Sequence, residues 1–164
     1  MTLRTDKEVE LAGIFKELGA RHPESWAQSE IHEGIPQLLR YVFLREAWRR
    51  VVPDDDSWME RAIASDERWP DGGLAYGLRR CIEAGVDRAT LNDMIRNVQA
   101  EMIFSIGYLM DGGPQSDEGP LAHMYWNLFE TDEDGNPLRV IGGLHESVAE
   151  TDPTGREMRP KGRT

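Results

Sequence analysis

The sequence predicts a mainly α-helical fold: a compact bundle around one long central helix, with a small β-hairpin near the C-terminus. Three observations predict it. Apolar residues recur at helical spacing through most of the first 110 positions. Capping residues and glycines bracket those stripes. After about residue 120 the pattern changes to two short β-capable runs separated by turn residues. At 164 residues the chain has the length of one ordinary domain. It divides into a helical part over about 5–111, a hairpin and acidic region over about 121–150, and a tail over 152–164.

The first helix is expected from about 6 to 18. Thr5-Asp6-Lys7-Glu8 fits a capping box, Val9, Leu11, Ile14, Phe15 and Leu18 follow, and Gly19 supplies the stop. Residues 20–35 read as irregular or a short turn, because Pro23, Gly34 and Pro36 interrupt any long pattern. Pro36 suits the start of a second helix that ends before Pro53. Its apolar face holds Leu38, Leu39, Val42, Phe43, Ala47, Trp48 and Val51, with Arg40, Arg45, Arg49 and Arg50 mostly off it.

A short third helix opens at Ser57, which forms a capping box with Glu60 behind Asp54, Asp55 and Asp56. Pro70-Asp71-Gly72-Gly73 marks a turn, and Leu74, Leu78, Cys81 and Ile82 form a fourth stripe ended by Gly85. Asp87 caps the central helix, expected over 88–110. Leu91, Ile95, Val98, Met102, Ile106 and Leu109 run down one side of it, the face expected to point inward. Tyr125–Thr131 and Leu138–Ile141 flank Asp132-Glu133-Asp134-Gly135-Asn136-Pro137, which predicts the hairpin. Leu144 to Glu150 could form one helical turn.

Composition sets limits on the core and on partners. Leu, Ile, Val and Phe supply 35 of 164 residues, so the core is expected to be lean, with five Trp and seven Met filling the shortfall. Net charge is -11, and nine acids against one base, Arg139, lie between Asp117 and Asp152. That field repels phosphate backbones and anionic membrane surfaces, so neither nucleic acid nor membrane is an expected partner. A single cysteine, Cys81, allows no intramolecular disulfide. With a polar N-terminus, this makes the cytoplasm the expected compartment.

Motifs for phosphate binding, serine hydrolysis and zinc proteolysis are missing. No cofactor or metal site is implied. Asp132-Glu133-Asp134-Gly135-Asn136 fails as a calcium loop, because Pro137 and Gly143 fall where Gly and Glu are required. Cys81 shares a face with Leu78 and Ile82, which points to a packed, inert thiol.

Two functional readings follow. In the first, the protein is a small acidic interaction module for a basic protein partner, neutralising or regulating it. Trp126 would anchor and Asp132, Glu133 and Asp134 would dock. The aromatics could equally pack onto the central helix while the acids are solvated. In the second, the protein is a small enzyme with a His/carboxylate site between hairpin and bundle, drawn from His123, His145, Glu146 and Asp111. A homo-oligomer is compatible with either.

Overall fold

The computed structural model describes residues 5–64, 73–112 and 124–161. Its elements are α1 (Asp6–Glu17), α2 (Pro23–Glu33), α3 (Gln37–Trp48), α4 (Ser57–Ala64), α5 (Gly73–Glu83), α6 (Arg88–Met110), β1 (Leu128–Thr131), β2 (Pro137–Ile141) and α7 (Leu144–Ser147). The expected fold is present: mainly helical, with a long α6 and a two-stranded hairpin. The turn expected at Pro70-Asp71-Gly72, and residues 113–123 between the helical part and the hairpin, lie outside the described residues.

The Thr5 capping box forms, and its Glu8 also reaches His32 Nε2 at 2.9 Å, tying α1 to α2. The α2 helix replaces the irregular stretch expected over 20–35. Pro23 stands at its start, where a missing N–H does no harm, and Gly34 takes the left-handed conformation that ends it. The residues read as interruptions are its boundaries.

Among the described residues, three small apolar clusters make up the core. Phe15, Trp26, Ala27 and Tyr41 join α1, α2 and one side of α3, with the three rings in mutual contact at centroid distances of 5.4–5.9 Å. Trp58, Met59, Leu78 and Leu91 join α4, α5 and the start of α6, with Cys81 packed beside them. Leu44, Trp48, Ala100, Ile141, Leu144 and Val148 join α3, the middle of α6, the hairpin and α7.

The long helix turns an unexpected face inward. Of the expected stripe, Leu91 is buried and Ile95 half-buried, but Val98, Met102, Ile106 and Leu109 are exposed. Asn92, Arg96, Ala100 and Gly107 are buried instead. Small residues let neighbouring backbone come close: a Cβ on Gly107 would stand 3.1 Å from the His145 backbone nitrogen. The polar pair has buried partners. Asn92 accepts from Trp58 Nε1 at 2.6 Å, and Arg96 Nη2 donates to Asp152 at 2.8 Å.

The expected tail is also corrected. Asp152 is buried, and its carboxylate accepts from Arg96, from the Thr154 N–H and hydroxyl, and from the Met158 N–H. Arg156 then pairs with Asp93 at 3.0 Å and with Asp54, so residues 152–161 fold back over α6. The Arg96 guanidinium lies 5.1 Å from the centre of the Trp48 ring, whose face offsets an Nη1 that has no hydrogen-bond acceptor. Trp48 in turn donates to the Val148 carbonyl and the Thr151 hydroxyl.

Burial works to raise the Asp152 pKa, but the Met158 and Thr154 donors and Arg96 outweigh it and hold the carboxyl below its ordinary value. A depressed folded-state pKa gives stability that is present above the unfolded value, about 3.9, and lost as pH falls through the folded one. Asp152→Asn is expected to destabilise the protein by about 3–5 kcal/mol at neutral pH, because it leaves the buried Arg96 with only the longer 3.9 Å contact to Asp54. Below about pH 4 the gap between variant and wild type should narrow. Chemical denaturation across pH checks both; a loss under about 0.5 kcal/mol at neutral pH is what an exposed tail would give.

Candidate functional site

The junction between the end of α6 and the start of α7 gathers most of the sequence-predicted catalytic candidates. Asp111 ends α6, its own N–H bonding back to Gly107 and Tyr108. Its carboxylate accepts from the backbone N–H groups of Leu144 and His145 at 3.0 and 3.2 Å, and from His145 Nδ1 at 2.5 Å. The same residue therefore closes one helix with its backbone and opens the next with its side chain. The His145 ring meets Tyr108 and Phe104 edge-on, at 4.9 and 6.0 Å between centroids.

Arg40 was missed by the sequence reading, which placed it off the apolar face. It is buried, and its Nε and Nη2 both donate to the Gly142 carbonyl, with Nη1 directed at Ser147 Oγ. Desolvation lowers its pKa, opposed by the charges of Glu146 and Asp111. Gly143 makes the approach possible: it has φ +66°, and a Cβ there would overlap the guanidinium. The Gly142-Gly143 pair was the available signal for such a close contact.

A histidine that donates Nδ1–H to a carboxylate keeps Nε2 as an acceptor, the orientation general-base chemistry uses. Here the carboxylate also serves two backbone amides, so the contact has a complete structural role. Glu146 lies on the Arg40 side of the junction, and His123 lies outside the described residues. Among the described residues no group of three or more His, Cys, Asp or Glu is placed to hold a metal ion.

The binding candidates lie on and beside the hairpin. Its strands pair antiparallel with Leu128 opposite Ile141 and Phe129 opposite Val140. Leu128 and Ile141 turn toward the core, while Phe129, Leu138 and Val140 stay exposed. Trp126 donates its indole N–H to the Leu109 carbonyl at 2.8 Å yet remains 39% exposed, so it is fastened at one edge and open on the rest. Met124 and Tyr125 are exposed beside it.

The three turn acids divide into two kinds. Asp132 accepts from the Asp134 and Asn136 N–H groups and from the Asn136 amide. The Asn136 side chain and backbone donors hold its pKa low. It builds the turn. Glu133 and Asp134 are exposed and make no ion pair with a described residue. Arg139 pairs with Glu130 at 2.6 Å and Glu30 at 3.2 Å, fixing the hairpin to α2.

A cleft of about 320 Å³ lies between α3 and residues 150–153, lined in part by Arg21, Arg45 and Arg49. Each of these is already paired with a carboxylate, Glu157 for Arg21 and Glu46 for the other two.

Asp111→Ala is expected to cost about 1–3 kcal/mol, since it leaves two partly buried amides and the His145 ring without their acceptor. The loss should appear in thermal melts and as faster amide exchange at Leu144 and His145. Unchanged exchange at both would show that the α6–α7 junction does not depend on this carboxylate.

No helix among the described residues is long and apolar enough to cross a membrane. In comparisons with known proteins, the chain matches no family model, and no curated protein or solved structure shows significant similarity to it.

Proposed function

We propose that the protein is an interaction module whose hairpin docks a protein partner with a basic rim. The observation that carries this reading is the exposed group Phe129, Leu138 and Val140 on a fastened hairpin whose turn offers Glu133 and Asp134, with the part-exposed Trp126 just before β1. Contiguous exposed apolar side chains with a charged edge are characteristic of docking surfaces. Both fastenings, Arg139 to Glu30 and Trp126 to Leu109, keep the surface rigid, so little ordering entropy is lost on binding.

The net charge of -11 adds steering toward basic proteins and away from nucleic acid and anionic membranes. The reading places the module in the cytoplasm, where Cys81 stays a thiol. Neutralising or regulating a basic partner is the activity such a surface supports.

A second reading, general-base catalysis by His145, draws on its 2.5 Å contact with Asp111. It ranks lower because Asp111 is fully employed in joining α6 to α7.

The test is a photo-crosslinking side chain at position 129, used in the native cell to capture the docked protein, followed by rapid-mixing kinetics with that partner. Glu133→Gln with Asp134→Asn should slow association several-fold at low salt and flatten its salt dependence, without altering the melt. Asp132→Asn is expected to lower the melt as well, because it weakens the turn. Phe129→Ala should speed dissociation by about tenfold or more if the residue is an interface anchor. Unchanged association of the double variant at low salt would remove the docking role of the turn.

A further inference from the structure

The outward side of α6 is an exposed apolar face. Met94, Val98, Met102 and Ile106 follow one another at four-residue steps and are 45–61% exposed, with Leu109 and Tyr108 beyond them. Such a row forms a ridge, the unit that packs between the rows of a facing helix. An apolar groove of about 250 Å³, lined by Phe43, Ala47, Val51 and Ile103, runs along one flank. A second, of about 630 Å³, runs along the other beside Asn97 and Pro160.

The occupant is indicated by charge and area, and the spacing of the row permits a two-fold. Met94 and Ile106 stand six positions either side of Ala100, and Val98 and Met102 stand two. A two-fold axis level with Ala100 therefore brings Met94 of one copy to the height of Ile106 in the other, and Val98 to that of Met102. An isologous interface requires this self-complementary spacing.

Glu101 is the single charged side chain among the exposed residues of α6 from Met94 to Leu109. In a chain of net charge -11 this is a face on which two copies can meet with little repulsion. A basic partner would find almost nothing there to pair with.

The helix has 23 residues, so it is about 35 Å long and about 10–12 Å across. Its exposed apolar stretch, Met94 to Leu109, is about 24 Å long, so half the circumference there offers roughly 400 Å² per copy, or about 800 Å² in total. The apolar flank formed by Phe43, Ala47, Val51 and Ile103 supplies the rest of the roughly 1,000 Å² that a specific interface needs.

We infer that a second copy of the chain covers this face, giving an antiparallel two-fold dimer through α6. The inference is independent of the hairpin reading and involves no residue of the hairpin. One charged pair makes it distinguishable from docking of any other protein: the two Glu101 carboxylates lie next to the axis and repel.

Sedimentation velocity up to about 100 μM, well above a micromolar dissociation constant, measures the dimer directly. Wild type is expected to dimerise, and Val98→Glu to weaken the dimer by about tenfold or more while keeping the helical circular dichroism signal. Glu101→Gln should tighten it several-fold at low salt, with the gain fading as salt rises. A monomeric wild type at the highest concentration would overturn the inference. So would a dimer that neither substitution changes, since its interface would then lie elsewhere.

Discussion

The fold depends on one buried ionic contact. Arg96, midway along α6, is almost wholly enclosed, with Asp152 on one side and the Trp48 ring on another. Taking a guanidinium out of water costs several kcal/mol, and the arrangement returns it only if all partners are in place together. Trp48 comes from α3, Arg96 from α6, and Asp152 from the segment after α7. The contact therefore forces three distant parts of the chain to arrive in one geometry. It also forces the C-terminal residues to stay, because Asp152 needs the Thr154 and Met158 amides to complete its shell.

This choice of interior explains the exterior. Apolar volume is scarce in the chain, and the core is split into three small clusters bridged by α3 and α6. With Asn92, Arg96, Ala100 and Gly107 turned inward, the apolar ridge of α6 must point out. The hairpin is similar: Leu128 and Ile141 meet the core, and Phe129 and Val140 face away. Among the described residues two apolar surfaces are left exposed, one proposed above to dock a basic protein and one a second copy.

Element positions were legible where a capping signal was local. Thr5 with Glu8, Asp87 with Thr90, and the 132–137 turn each appear where their hydrogen-bonding chemistry places them. The second helix was not legible because Pro23, Gly34 and Pro36 carry the same letters whether they interrupt a helix or delimit it. Inward and outward faces of α6 were not legible either. Apolar periodicity finds a stripe, but Arg96 is buried for a partner 56 positions away, and spacing along the helix contains no trace of it. At the candidate site, Asp111 and His145 belong to one expected His/carboxylate set and the fold joins them, whereas the burial of Arg40 is hidden behind its charge.

The most direct test of this account is native-state hydrogen exchange at Thr154 and Met158, the two backbone amides that donate to Asp152. If the Arg96–Asp152 contact anchors the fold, both amides should exchange only through the global opening that also frees the amides of α3 and α6, with the same free energy. Exchange at the rate of an unprotected chain end would contradict it, and would leave residues 152–161 an appendage of the helices.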